Sequence, residues 1–314
     1  MARQRSTAHK AILRSTVRKD MKRHWQLYCI LAIPIIMLII FRYVPMYGVI
    51  IAFKNFKVRQ GILGSDWVGL KYFLQFFESQ ACAGVLWNTI SISLYSIFAS
   101  LPFPIILAIG LNEMRNQRFK KTVQMFSYAP YFISTVVLVS MVMQFLDPRI
   151  GIVNRIVQLL GGKSINYMAQ ERYFIHIYVW SGIWKNTGYS AIIFIAALSS
   201  VPPELYEAAV IDGASKMQKI RFIDLPFILP TVAIILILNF GQVMNVGFEK
   251  VYLMQNSANM SASEVISTYV YKVGLINMNM SYSSAVNLFN SVINMALLLI
   301  VNAVAGKVSD TSLF

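Results

Sequence analysis

Five or more stretches of apolar residues, each near or beyond the roughly 20 residues a helix needs to cross a bilayer core of about 30 Å, constrain this chain more than any other feature. The first runs from Leu27 to Phe53. It is longer than the apolar core of a signal peptide and no small-residue cleavage site follows it, so it reads as a retained span. Of the 314 residues, 57% are hydrophobic and 13% charged, too apolar a balance for one soluble domain. In lipid the backbone must satisfy its own polar groups, and segments of this length do so as helices. The expected class is an all-α integral membrane protein.

The net charge of +15 invites a nucleic-acid reading. That would need basic residues grouped on a soluble face with aromatics between them. Here they fall mostly between the apolar runs, which suits the excess of Lys and Arg on cytoplasmic loops. The segment up to Arg23 carries Arg3, Arg5, Lys10, Arg14, Arg18, Lys19, Lys22 and Arg23 against Asp20 alone, placing residues 1–26 in the cytoplasm as a basic tail. Such a tail also favours an anionic inner leaflet. The loop from Asn112 to Thr122, with Arg115, Arg118, Lys120 and Lys121 against Glu113, votes the same way.

Six transmembrane helices with both termini cytoplasmic are therefore expected. The spans lie at about 27–53, 85–111, 123–146, 173–198, 227–248 and 284–305. Residues 54–84 form an extracytoplasmic segment, 85–306 a core carrying the second to sixth spans and 307–314 a short cytoplasmic tail. Pro102 and Pro104 predict a kink in the second span, and residues 153–160 a short amphipathic helix. Gly61, Gly64 and Gly69 do not make a phosphate cradle, because no strand precedes them and no helix follows in the required order. Cys29 and Cys82 have no metal-ligand spacing, and His9, His24 and His176 are scattered.

Residues 200–226 are too polar to span and too well punctuated to be slack. Pro202 and Pro203 can open a helix, with Glu204 and Glu207 near its positive end. Gly213 suits a left-handed C-terminal cap, and a second short helix from about Ala214 should end near Pro226. Leu205, Ala208 and Ala209 share one side of the first helix, small enough for another surface to approach. A capped helix-turn-helix fixed to two membrane helices can move them as levers.

In Glu207-Ala208-Ala209, Asp212-Gly213-Ala214 and Ile223-Asp224-Leu225-Pro226 the chain resembles the inner-membrane permease components of binding-protein-dependent ABC importers, of the MetI-like fold, whose cytoplasmic signature has these residue types at this spacing. Within that family it is similar to carbohydrate permeases serving oligosaccharide or complex-polysaccharide systems, through the segment Tyr43 to Lys54, the segment Gly61 to Lys71 with Phe73, and Trp184-Lys-Asn-Thr-Gly-Tyr189. The resemblance implies a coupling helix between the fourth and fifth spans. It assigns contact with the ATPase to Glu207, Ala208, Ala209, Asp212, Gly213, Ala214, Ile223, Leu225 and Pro226. It also implies a cytoplasmic ABC ATPase dimer, a second and different homologous permease chain, an extracytoplasmic solute-binding lipoprotein, an oligosaccharide cargo and a bacterial plasma-membrane location. No GxxxxGK[ST] loop is present, so ATP and Mg are expected on the partner ATPase and no cofactor on this chain.

Polar residues inside spans must face protein or water. Ser283, Asn287, Asn290 and Asn294 form one stripe on the sixth span, and Asn239, Gln242 and Asn245 a looser one on the fifth. These amides either line a path for sugar hydroxyls, with Trp184 or Tyr189 as a stacking surface, or bond helix to helix. Lys185, near the middle of the fourth span, either attracts an acidic sugar or pairs and snorkels. The competing classes are an ABC permease for another solute and a self-contained carrier or channel, the latter expected to show acidic coupling sites.

Overall fold

The computed structural model describes residues 23–308, so the basic tail up to Lys22 and the segment from 309 onward lie outside it. The chain falls into two compact units, one ending at Val68 and the other beginning at Gly69.

In the first unit, helix α1 covers Trp25–Leu38 and continues through a π turn at Ile39–Tyr43 and a short α-helical stretch at Val44–Met46 to a 3-10 stretch at Tyr47–Phe53. None of the α1 side chains is buried, as suits a helix whose solvent is lipid. The one departure from all-helical expectation follows: β1 (Lys54–Asn55) pairs antiparallel with β2 (Asp66–Trp67). Phe53 stacks on Trp67 with centroids 5.8 Å apart, and Lys57 meets Asp66 at 3.1 Å.

The second unit is helical among the described residues. Helices α2 (Lys71–Glu78), α3 (Gln80–Ser100) and α4 (Pro102–Asn112) come first. The second span thus begins at Gln80, inside the segment expected to be extracytoplasmic, and α3 gives way to α4 where Pro102 removes a backbone donor. Helix α5 (Gln117–Tyr128) leads through a 3-10 turn at Ala129–Phe132 to α6 (Thr135–Leu146), the pair bent by 98°. The straight third span expected at 123–146 is therefore broken. Pro130 ends one helix, and the Ser134 hydroxyl starts the next by accepting from the Val137 N–H. Helix α7 is the amphipathic Ile152–Leu159.

Helix α8 (Glu171–Ser199) is the axis of the unit. Its Phe194 and Leu198 pack with Ala108 of α4 and with Ile228 of the later helix α10 in one apolar cluster. A second cluster joins Phe174 of α8 to Ile92 of α3 and Val139 of α6. At Gly188 the backbone of α8 comes so close to the Ser127 carbonyl that a Cβ would overlap it. Helix α9 (Pro203–Ile211) is bent 72° from α8. Then α10 runs unbroken from Lys216 to Phe240, with a π turn at Ile220–Asp224.

That continuity corrects the expectation of a separate helix ending near Pro226. Pro226 stands next to the π turn, where altered spacing accommodates the missing N–H. The fifth span likewise ends at Phe240 and not at 248, because Gly241, Asn245 and Gly247 break the helix. The chain continues as α11 (Phe248–Met254) and α12 (Ile266–Tyr271), held by buried amides. Asn259 bonds the carbonyls of Met168 and Met254, and Asn88 those of Ser261 and Glu264. The last helix, α13, covers Met280–Val308. Among the described residues four helices are long and apolar enough to cross a membrane, or up to six if each bent pair counts as one span.

Candidate functional site

The segment 200–226 folds into a rigid elbow because each of its ends is closed locally. Helix α9 starts on Pro202 and Pro203, where no N–H is wasted, and Glu204 lies in its first turn. It finishes in a Schellman cap. The Gly213 N–H donates to the Val210 carbonyl at 3.1 Å and the Ala214 N–H to Ala209 at 2.8 Å, with Gly213 at φ 71°. Two residues later Ser215 and Gln218 close a reciprocal capping box that launches α10.

A buried polar latch ties the elbow to the helices above it. The Tyr206 hydroxyl donates to Asp224 Oδ1, and the side-chain amide of Asn112, the last residue of α4, donates to the Tyr206 oxygen at 3.4 Å. Asp224 is fully buried and its Oδ2 has no protein partner. Burial first, and then the hydrogen bond to Asp224, push the Tyr206 phenol up to about 12, so near neutrality it remains a donor. Three elements, α4, α9 and α10, meet at this one hydroxyl.

The remaining elbow side chains face outward. Glu207, Ala208, Asp212 and Gly213 are exposed, and Ala209, Ala214 and Ile223 line a shallow hollow of about 290 Å³. Leu225 and Pro226 are exposed on the first turns of the membrane part of α10. Among the described residues no cation pairs with Glu207. Sequence reasoning missed the apolar rim: Val210, Ile211, Met217 and Phe222 are 63 to 85% exposed around the hollow. An apolar residue at the end of a helix next to a left-handed glycine was the available signal.

The polar residues of the spans divide into two groups. Asn239 borders two neighbouring cavities, of about 420 and 180 Å³, and Gln242 and Asn245 border the smaller. Asn290 is buried and donates to Asn245 Oδ1 at 3.0 Å, while Asn294 accepts the Met244 N–H at 3.0 Å. Asn294 thus secures the backbone after α10, and Asn290 a side chain of the same segment. Asn287, on the same stripe, is exposed, and Ser283 caps the Val270 carbonyl. Tyr189 is stacked on Tyr131 at 3.8 Å, and Trp184 is half exposed. The larger cavity is walled instead by residues that the spacing did not single out, notably Ser96, Asn186, Ser190 and Lys250. Lys250 lay hidden because the fifth span was drawn eight residues too far, which put this residue outside the bundle.

Comparison with known proteins bears on both regions. The model of the family described as binding-protein-dependent transport system inner membrane component matches residues 100–310. Protein LplB of Bacillus subtilis (strain 168) is 39% identical over 294 residues, covering 94% of this chain and 92% of LplB. The polygalacturonan/rhamnogalacturonan transport system permease protein YteP of the same organism is 38% identical over 288 residues, covering 92% and 90%. Among solved structures, a bacterial ABC transporter involved in the import of the acidic polysaccharide alginate superposes with a TM-score of 0.86 at 35% identity, covering 93% of this chain and 99% of that one.

Proposed function

Because this chain belongs to the family of binding-protein-dependent transport system inner membrane components, we propose that it moves acidic oligosaccharides across the bacterial inner membrane, driven through the elbow of residues 200–226. As a permease subunit it is a multi-pass membrane protein and not the ATPase; ATP and Mg belong to a cytoplasmic partner. The cargo assignment draws on relatives concerned with polygalacturonan, rhamnogalacturonan and alginate. A cavity whose apolar walls carry hydroxyls and amides, among them Ser96, Asn186, Ser190 and Asn239, suits the faces and hydroxyls of a sugar.

The observation that carries the mechanism is the doubly capped elbow, exposed on its outer side and latched to α4 and α10 on its inner side. In this reading the bent α5–α6 pair makes one span and α8 alone another, giving six, with both termini and the elbow α9 in the cytoplasm. Glu207, Ala208, Ala209, Asp212, Gly213 and Ala214 enter a cleft of the ATPase, while Ile223, Leu225 and Pro226 join that contact to the α10 lever. ATP draws two such elbows together, one from this chain and one from a homologous permease partner. Because Tyr206, Asn112 and Asp224 bind the elbow to two membrane helices, its displacement moves the walls of the cavity. An extracytoplasmic binding protein delivers the sugar when the path faces outward. Trp184, Lys185, Tyr189, Asn239, Gln242, Asn245, Asn287, Asn290 and Asn294 are then assigned to that path or to its walls.

Glu207→Arg tests the coupling. In the assembled transporter in proteoliposomes, uptake should fall about tenfold or more while the ATPase keeps its own turnover, since the mutation reverses charge at a docking surface and leaves both folds intact. Wild-type uptake by a correctly assembled Glu207→Arg transporter would refute the docking role.

A further inference from the structure

The larger cavity is lined by a cation, Lys250, that no carboxylate among the described residues neutralises. Lys250 Nζ donates to the Tyr178 carbonyl at 2.6 Å and lies 4.4 Å from the centroid of the Tyr178 ring. Among the described residues it has no acidic partner within ion-pair distance. A Cβ on residue 182 would stand 3.2 Å from Nζ, so it is the bare backbone of Gly182 that leaves the ammonium room beside the cavity. Lys185, one turn further along α8, is close enough to repel it electrostatically. Lys250 itself lines the hollow, with Ser96, Asn186, Ser190 and Asn239 as polar groups on its walls.

A lysine held inside a membrane domain is costly unless something compensates it. The Tyr178 carbonyl and ring occupy one proton and one flank of the ammonium, which leaves donors for a further acceptor. That acceptor is an anion that comes and goes, because the described residues supply none. We infer that Lys250 is a carboxylate station in the translocation path, binding the uronate group of a passing acidic sugar while the hydroxyl and amide walls engage its neutral oxygens. The inference rests on the acidic-oligosaccharide reading and assigns to this chain, and not only to the binding protein, a share of the selectivity. At about 420 Å³ the cavity lies in the range of about 300–1,000 Å³ usual for small-ligand sites. A site held by a single ammonium also releases its ligand readily, as a path requires and a store does not.

The test uses the whole transporter, this chain with its partner permease and ATPase, in nanodiscs without binding protein. Calorimetry measures trigalacturonate and its fully methyl-esterified form on the wild type, Lys250→Gln and Lys250→Met. The wild type should prefer the acid, and both variants should lose about tenfold or more of their affinity for the acid with the ester unchanged. Equal acid affinity in wild type and variants overturns the inference. So does a parallel loss for acid and ester, which would mark Lys250 as packing around Tyr178. A wild type that does not tell acid from ester overturns it without recourse to any variant. The substrate reading has its own arm: trigalacturonate uptake by the wild type with its binding protein in proteoliposomes. Uptake there with no acid preference in nanodiscs refutes the station alone; no uptake refutes the acidic cargo itself.

Discussion

A single hydroxyl shows how side-chain chemistry sets the mechanics. Tyr206 is the only link the structure shows, among the described residues, between the Asp224 carboxylate and the Asn112 amide. Tyr206→Phe removes that donor and leaves a buried carboxylate with neither oxygen satisfied by protein, a cost of about 1–3 kcal/mol. The elbow's two caps stay closed, so the fold of α9 should survive. The expected outcome is a modest fall in the melting temperature of the purified transporter. ATP hydrolysis should persist while its stimulation by loaded binding protein drops, read by comparing ATPase rates with and without that protein. At this scale the sequence was legible where backbone geometry forced a residue type. Gly213 was expected to be left-handed and is, at φ 71°. The Tyr206 contact was not legible, because a tyrosine and an aspartate 18 residues apart meet only after α9 folds back on α10.

At the level of helices, apolar length located the spans and small polar signals set their ends. The sequence placed α8 within one or two residues of its observed limits, because polar residues mark its start at Gln170, Glu171 and Arg172, and Ser199, Ser200 and Pro202 its finish. It missed the break in the third span and the early end of the fifth. In both places the breaking residues lay inside the span as drawn, Pro130 and Ser134 in the third and Gly241, Asn245 and Gly247 in the fifth, and the apolar residues between them carried the run across. The asparagine stripe of α13 illustrates the same limit. Period gave the face correctly for Asn290 and Asn294, but only the frayed backbone after Phe240 shows what those amides hold. Trp184-Lys-Asn-Thr-Gly-Tyr189 gains a physical reason at its glycine, where α8 touches the end of α5. Gly188→Val would force a side chain into the Ser127 carbonyl and should destabilise the second unit by at least about 2 kcal/mol. Lower yield of folded protein by fluorescence-detected chromatography, together with an earlier thermal transition, is the expected reading; an unchanged transition would show that α5 can move away.

For the molecule as a whole, the six-span arrangement makes a topological claim that chemistry can check from either side of the membrane. With Cys29 and Cys82 replaced by serine, Met217→Cys should react with an impermeant maleimide only in inside-out vesicles, and Lys163→Cys only in intact spheroplasts. Both positions are exposed, so reaction of the two from the same side would reverse or break the proposed topology. The charge pattern pointed to this orientation through Arg115, Arg118, Lys120 and Lys121, which precede or begin α5. The basic residues before Arg23 lie outside the described chain and leave that orientation to be tested from the loops.

The greasy rim of Val210, Ile211, Met217 and Phe222 has a cellular corollary. Under the proposed docking, a copy of this subunit synthesised ahead of its motor would present four bare hydrophobes to the cytosol, a surface of the kind that chaperones and quality-control proteases recognise. Production of the two proteins must then be matched in time and amount, and surplus copies would be removed and not stockpiled.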